Sequence, residues 1–385
     1  MMIRMVVTAL VAAFGLLAVP TGVEAAGIPE PDQDSFYRPA AGYETKAPGT
    51  ILKTRTVSVP LAVKAYQLQV RSTDAKDRPV TVVSTVLVPL TPYVGKRPLL
   101  SYQPATDSLG DQCNPSYNLR LGLEKEIPLL SMGLAKGWAV VVTDYQGPRD
   151  AYGAGRMEGH AVLDGIRGAL ALPEAGLSAT TKVGMWGYSG GGLATGWAAQ
   201  LHPSYAPELK IAGVASGGTA SDLEAAGRQM DGGLFSGLFL AAAIGVSREY
   251  PELLSIFNAA GHELIAEMDD LCVAEEALYA FKSVKSYSDS PDPLAEPIAQ
   301  QVLRLNRMGD LAPTAPVYLY HSKFDELIPW QAASDVNARW CAKGTRVTFH
   351  TDYTSEHNTL AATGAPAALT YLSARFLGLP SPSTC

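Results

Sequence analysis

A glycine-rich stretch around one serine, WGYSGGGLATGW at residues 186–197, constrains the fold of this chain more than any other feature. Gly187, Ser189 and Gly191 form the pattern G-x-S-x-G. The apolar KVGMWGY favours a strand before the serine, and GGGLATGWAAQL favours a helix after it. A serine in such a turn takes a strained backbone conformation, and small neighbours let the strand and helix approach each other. The stretch therefore predicts a nucleophile elbow with Ser189 as the nucleophile.

Two other interpretations of this stretch need weighing. The first is a glycine-rich turn that carries an incidental serine, which the strand before it and the small-residue helix after it disfavour. The second is a phosphate-binding loop. GYSGGG lacks the Gly-Lys-Ser/Thr ending of such a loop and is a poor match to G-x-G-x-x-G, so phosphate binding is disfavoured.

Short apolar runs alternate with helical patterns along the chain, among them TVVSTVLVPL, WAVVVTDYQG, IAGVASGG and PVYLYHS. This alternation predicts an α/β fold, a mainly parallel sheet with helices on both faces. Residues 27–60 are rich in proline and glycine, and we expect them to wrap the surface before the first strands. Residues 219–308 show helical patterns only, so we expect a helical cap inserted between two parts of the core, 26–218 and 309–385.

The N-terminus and the cysteines both bear on the compartment. An apolar run after Arg4, followed by VEAA, predicts a signal peptide over residues 1–25. A membrane anchor is the alternative, but the run is shorter than the ~20 residues that a bilayer needs. Export favours disulfides, and the four cysteines, none in a C-x-x-C motif, leave three pairings open. The net charge of −7 disfavours a nucleic-acid partner.

A serine nucleophile needs a base, and in a chain with a nucleophile elbow the base follows the serine and the acid in sequence. His357, in the polar YTSEHNTLAA after the last apolar run, is the candidate base on a loop before the terminal helix. The other downstream histidines are disfavoured: His202 follows the elbow helix too closely, and His262 falls in the cap. His321 and His350 lie in strand-like runs, which favours a structural role for both.

For the acid, VYLYHSKFDELIPW places Asp325 just after a buried strand. One strand-helix-strand unit then separates it from His357. Glu326 and Asp352 are the rival carboxylates, and each could be a solvated loop residue. The sequence favours Asp325 as the acid.

Taken together, GYSGGGLATGWAAQL, YHSKFDELIP and SEHNTL, with DYQG and GHAVLDGIRGAL upstream, resemble the secretory lipase family, which includes fungal lipases of the A type and exported bacterial homologues. The resemblance implies an α/β-hydrolase with a helical cap that hydrolyses carboxylic esters without a metal or an organic cofactor. It also implies that Ser189 is the nucleophile, Asp325 the acid and His357 the base. The implied partner is a lipid or ester substrate, and the oligomeric state stays open with a monomer favoured.

The resemblance also implies an oxyanion hole formed by the amide after the nucleophile, here Gly190, and by an aspartate in a loop after an early strand. In LLSYQPATDSLGDQC that aspartate is Asp107, with Asp111 as the close alternative and a simple turn residue as the structural alternative for Asp107. We expect the loop amide to donate to the oxyanion while the Asp107 carboxylate holds the loop in shape.

For the cysteines we predict bonds Cys341–Cys385, pinning the terminal helix beside the His357 loop, and Cys113–Cys272, tying the oxyanion loop to the cap. The cap stretch GGLFSGLFLAAAIGV is too apolar to face water, so it packs on the core or lines an acyl tunnel above Ser189. Its large apolar side chains are Leu234, Phe235, Leu238, Phe239 and Leu240.

Three functions follow from these features. The first is a secreted esterase or lipase that favours medium to long acyl chains. The second is a secreted serine peptidase or acyltransferase on the same fold, since a triad alone does not select the bond or the acceptor. The third, a non-catalytic binding protein, is disfavoured because all three members of a triad are present. Metal catalysis is disfavoured because the sequence contains no H-E-x-x-H motif.

Overall fold

A nine-stranded sheet organises the protein, described here by a computed structural model over residues 27–385. The strands are β1 Ile51–Val57, β2 Val63–Thr73, β3 Pro79–Pro89, β4 Leu99–Gln103, β5 Ala139–Thr143, β6 Lys182–Tyr188, β7 Lys210–Gly217, β8 Val317–Ser322 and β9 Val347–Asp352. They lie in the order β1-β2-β3-β5-β4-β6-β7-β8-β9. Pairing is antiparallel from β1 to β5 and parallel from β5 to β9, which confirms the predicted mainly parallel sheet.

Helices cover both faces of this sheet. Those before the cap are α1 Pro115–Leu121, α2 Ile127–Ala135, α3 Gly155–Ala171 and α4 Gly190–Tyr205. After the cap come α10 Trp330–Ala342, α11 His357–Thr363 and α12 Ala365–Phe376. α3 and α4 contribute to the core on one face, and α1, α2, α11 and α12 contribute to the core on the other. Strands β4 and β5 are fully buried between the two layers; β5 is almost wholly apolar, and in β4 the buried polar residues Ser101 and Gln103 are hydrogen-bonded to each other.

The segment between β7 and β8 is helical. It contains α5 Leu223–Met230, α6 Ser236–Glu249, α7 Ala259–Met268, α8 Val273–Glu276 and α9 Pro297–Leu305, with short 3-10 turns between them. We call residues 219–308 the cap. Its own small core is built on Phe239, Leu240, Ile244 and Leu264, and it includes Leu109 from the loop after β4. The cap is therefore packed on the body at the edge where that loop lies.

The N-terminal region departs from the expected wrapping segment. β1 lies within residues 27–60 and pairs with β2 along most of its length. Buried Gln69 of β2 helps to fasten the chain that precedes β1, since its Nε2 donates to the carbonyls of Phe36 and Arg38, both at 2.8 Å. The predicted signal peptide, residues 1–25, lies outside the described residues. Over 27–385 no helix has the length and apolarity to cross a membrane.

Two disulfides are present, Cys113–Cys272 and Cys341–Cys385. These are the pairs expected from the sequence. The first joins the loop after β4 to the start of α8 in the cap. The second does not pin the terminal helix beside His357. It holds the C-terminal tail along β9, where Thr384 N–H donates to the Val347 carbonyl at 2.8 Å, so the tail covers the outer edge of that strand.

Candidate active site

Ser189 lies between the end of β6 and the start of α4, in a backbone conformation that a side chain rarely adopts. Its φ is 57° and its ψ is −124°, and it is the single residue between the strand and the helix. The neighbouring glycines allow this approach: a Cβ added at Gly191 would lie 1.9 Å from the Gln103 carbonyl oxygen of β4. The G-x-S-x-G stretch thus forms the strained strand-to-helix turn that its sequence predicts.

The serine faces a histidine and an aspartate from two later segments. His357 Nε2 lies 2.9 Å from Ser189 Oγ, and His357 Nδ1 lies 2.6 Å from Asp325 Oδ2. Both His357 and Asp325 are buried. Asp325 follows β8 and His357 follows β9, so all three side chains come from the carboxyl ends of parallel strands, where α/β sheets bind ligands. The structure brings together the three residues selected from the sequence.

The Asp325 carboxylate is held ionised by its partners. Burial alone would raise its pKa, but hydrogen bonds from His321 and His357 outweigh burial and lower the pKa below its ordinary value. The other oxygen, Oδ1, accepts from the N–H groups of Leu327 at 3.0 Å and Ile328 at 2.7 Å. The carboxylate is therefore fixed in orientation and charge.

His321 belongs to this site, although its sequence context favours a structural role. It is fully buried near the end of β8, and its Nε2 lies 3.2 Å from Asp325 Oδ2 and 3.0 Å from the Ile328 carbonyl. Because both neighbours accept hydrogen bonds, Nε2 carries the proton. The signal in the sequence is the spacing of four residues between His321 and Asp325, which the turn after β8 closes into contact.

His357 is positioned by its backbone as well as its ring. It is the first residue of the short helix α11, not a loop residue as the sequence suggested. Tyr188 Oη donates to its carbonyl at 2.6 Å, and its N–H donates to Glu326 Oε2 at 3.0 Å. The rival carboxylates thus have other contacts: Glu326 anchors the helix start, and Asp352 accepts from backbone N–H groups of its own turn.

The other histidines lie elsewhere. His202, near the end of α4, donates from Nε2 to the Leu209 carbonyl at 3.1 Å. His262 is exposed on α7 of the cap, and His350 is exposed on β9. None of the three lines the cavity above Ser189 within residues 27–385.

Gly190 and Asp107 lie against each other beside Ser189. Gly190 is the first residue of α4, so its N–H is among those that the helix leaves unpaired. A Cβ added at Gly190 would lie 1.7 Å from Asp107 Oδ1, which shows how closely the loop after β4 approaches the elbow. Asp107 has a φ of 47°, a strained conformation for a side chain. Asp111 lies in a 3-10 turn, Asp111–Cys113, and does not line the cavity.

The Asp107 carboxyl does not hold its loop in shape as expected. Oδ1 is buried and has no hydrogen-bond partner in residues 27–385. Instead, Tyr145 Oη donates to the Pro104 carbonyl at 2.6 Å and accepts from Thr106 N–H at 3.1 Å. Glu126 Oε1 accepts from Ala105 N–H at 2.8 Å. Burial raises the pKa of Asp107 to about 6, so its charge changes near neutral pH.

A large cavity opens above Ser189, between the body and the cap. It has a volume of about 930 Å³, near the top of the range for ligand pockets. Four of the five large apolar residues of the cap stretch line it, namely Leu234, Phe235, Leu238 and Phe239. Leu240 is instead buried in the core of the cap, and Leu234 is 41% exposed, contrary to the expectation that the stretch avoids water. The cap stretch therefore both packs and lines the cavity.

Comparison with known proteins identifies the family of this chain. The family model for secretory lipases matches residues 117–383. A probable inactive lipase of Mycobacterium tuberculosis is 37% identical over 95% of this chain and 90% of its own, and secreted triacylglycerol lipase LIP3 of Malassezia restricta is 36% identical over 91% and 80%. The closed crystal structure of Candida antarctica lipase A matches with a TM-score of 0.87 at 30% identity, covering 92% of this chain and 89% of that one. The chain belongs to the secretory lipase family and is a carboxylic ester hydrolase of the α/β-hydrolase fold.

Proposed function

We propose that the protein is a secreted lipase or carboxylesterase that works through a Ser189-His357-Asp325 triad and an acyl-enzyme. One observation carries the proposal: His357 bridges Ser189 Oγ and Asp325 Oδ2 at 2.9 and 2.6 Å, at the floor of the cavity. The three side chains lie in the hydrogen-bonding positions that a triad needs, which supports activity although one relative is named a probable inactive lipase.

In the proposed reaction, His357 Nε2 takes the proton of Ser189 as Oγ attacks the ester carbonyl. The Asp325 carboxylate keeps Nδ1–H of His357 in place and stabilises the imidazolium that forms. His357 then passes the proton to the leaving alcohol as the acyl-enzyme forms. Water attacks the acyl-enzyme by the same route and releases the acid and Ser189.

The oxyanion is proposed to bind the N–H of Gly190 and the backbone N–H of Asp107. The α4 N-terminus supports this, since its unpaired amides and dipole favour negative charge. An ionised Asp107 carboxylate would repel the oxyanion, so the neutral form of Asp107 is the one suited to the reaction.

The preferred substrates are proposed to be esters of medium to long acyl chains. The cavity volume and the cap residues Phe235, Leu238 and Phe239 in its wall support an apolar acyl chain above Ser189. Each methylene buried there gains up to ~0.8 kcal/mol, so kcat/KM is expected to rise with chain length until the cavity is full.

We also propose that the cap contacts a lipid surface. Three apolar side chains, Leu234, Leu278 and Phe281, are 41%, 75% and 70% exposed. Leu234 and Phe281 also line the cavity, so the exposed apolar surface is continuous with the route to Ser189. Secretion, proposed from the N-terminal sequence, fits the two disulfides and the family.

The test is a panel of p-nitrophenyl esters from acetate to palmitate, with triglycerides and aminoacyl amides beside them. We expect kcat/KM to increase from acetate to at least octanoate, and replacement of Phe235 by serine to flatten this increase more than it lowers the acetate rate. Cleavage of the amides in preference to every ester would instead support a peptidase. A steep preference for acetate would rule out an acyl tunnel.

A further inference from the structure

One carboxylic acid in the cavity wall is not used by the proposed triad. Glu276 ends α8, and it is fully buried while lining the cavity above Ser189. Neither of its carboxyl oxygens has a hydrogen-bond partner in residues 27–385. Buried polar groups without a partner are rare in folded proteins because they lose hydration and gain nothing in return. A group that enters the cavity is a natural partner for these oxygens.

Glu276 is held firmly beside the catalytic edge of the sheet. The N–H of Val273, in the same short helix, donates to Ser108 Oγ in the loop after β4 at 3.1 Å. The disulfide Cys113–Cys272 joins the same two segments. Glu276 is therefore attached to the loop that approaches the elbow, so movement of the rest of the cap would leave it beside the reacting ester.

The charge state of Glu276 limits what it can bind. Burial raises its pKa well above the ordinary value, and the nearby Asp107 raises it further, while Lys125 lowers it by a smaller amount. A neutral carboxylic acid offers one O–H donor and a carbonyl acceptor. Those groups suit an uncharged oxygen function, such as a hydroxyl, and do not favour an ammonium group.

We propose that Glu276 is a specificity-determining residue that hydrogen-bonds a hydroxyl group of the ester substrate. The preferred substrates would then carry a hydroxyl on the acyl chain, or on an alcohol moiety such as that of a monoacylglycerol. The inference rests on the proposed esterase reaction and refines its substrate class. It concerns selection among esters and leaves the roles of Ser189 and His357 unchanged.

The test compares two substitutions at this position. Glu276→Met keeps the side-chain length and removes both oxygens, whereas Glu276→Gln keeps a donor and an acceptor. The matched control is Glu263→Met, on an exposed carboxylate of α7 in the same cap. Should the methionine variant fail to fold, Glu276→Leu replaces it, since an apolar residue in a buried position normally supports folding.

The measured quantity is the ratio of kcat/KM for a hydroxylated ester to that for its unsubstituted counterpart of equal chain length. One series uses methyl esters of hydroxylated fatty acids, and the other compares 1-monoacylglycerols with methyl esters. In at least one series Glu276→Met should lower the ratio about five- to tenfold, the effect of one hydrogen bond, and Glu276→Gln should stay within about twofold of wild type. The series that responds identifies where the hydroxyl lies.

A ratio unchanged by Glu276→Met in both series would overturn the proposal and leave Glu276 a structural or water-bound acid. A fall in the ratio no larger than the fall caused by Glu263→Met would overturn the proposal as well. Thermal shifts caused by free hydroxylated and unsubstituted fatty acids provide a readout that needs no turnover. If wild type hydrolysed no ester, the proposed function would fail, yet a larger shift with the hydroxylated acid that disappears in Glu276→Met would still support this hydroxyl site.

Discussion

Replacing Asp325 by asparagine should remove most of the activity while preserving the fold. In the structure, Asp325 Oδ1 accepts from the N–H groups of Leu327 and Ile328, and Oδ2 accepts from His357 Nδ1. Oδ2 also lies 3.2 Å from His321 Nε2. The two backbone donors cannot give up their protons, whereas both imidazoles can move theirs to the other ring nitrogen, so an asparagine at this position keeps its carbonyl towards the backbone. Its amide NH₂ then faces His357 Nδ1.

That orientation reverses the proton positions on the imidazole. An NH₂ group can only donate, so Nδ1 of His357 becomes an acceptor and its proton moves to Nε2. Nε2 then cannot take the proton of Ser189. Loss of the correct tautomer costs about 10⁴ in kcat in triads of this kind, about 5.5 kcal/mol of transition-state stabilisation.

The assay is the steady-state kcat with p-nitrophenyl octanoate, with the thermal melt measured in parallel. Asp325→Asn should lose about four orders of magnitude in kcat. Asp352→Asn, at a carboxylate that only closes its own turn, should stay within about twofold. Asp325→Asn with more than a tenth of wild-type kcat, or an equal loss in Asp352→Asn, would refute the assignment of the acid.

Three further predictions concern pH and stability. Burial raises the pKa of Asp107 to about 6, so the carboxylate that repels the oxyanion forms as pH rises. Asp107→Asn should therefore show a higher ratio of kcat at pH 8 to kcat at pH 6 than wild type, and equal ratios would exclude this effect. Burial also raises the pKa of Asp144 from 3.8 to about 7, so the protonated carboxyl stabilises the fold fully below about pH 4, and this contribution is lost as pH rises through 7. Calorimetry should show a melting temperature that falls between pH 5 and pH 8, and that falls less in Asp144→Asn. Finally, the pair Cys341 and Cys385 closes a loop with a sequence separation of 44 residues, worth about 4 kcal/mol, so changing both to serine should lower the melting temperature by about 5 °C with kcat unchanged; a loss of kcat would mean that the tail affects the site.

Several features could be predicted because their cause is local in the sequence. The elbow needs small residues next to Ser189, and those glycines are adjacent in the chain. Buried parallel strands must be apolar on both faces, so β4 and β5 are recognisable as short apolar runs. His357 and Asp325 follow from their order after the serine and from strands that end just before them.

Other features depend on partners that are distant in sequence. β1, ILKTRTV, and β2, VKAYQLQVRST, contain many polar residues and lack the apolar runs that indicate buried strands, and buried Gln69 is explained only by carbonyls more than thirty residues away. A charged residue on a short helix is expected to be exposed, so no pattern indicates that Glu276 is buried in a cavity wall. The resemblance places Asp107 beside Gly190, but no sequence pattern indicates its positive φ or its buried, unpaired Oδ1.

The most direct test of the triad is to label the nucleophile covalently with an alkyl phosphonate ester and to locate the adduct by peptide mass spectrometry. We expect one stoichiometric adduct on Ser189, a loss of ester hydrolysis in proportion to labelling, no adduct in Ser189→Ala, and slower labelling of the wild type in the presence of a long-chain ester substrate. An adduct on another residue, or full hydrolysis by enzyme labelled at Ser189, would contradict the proposed mechanism.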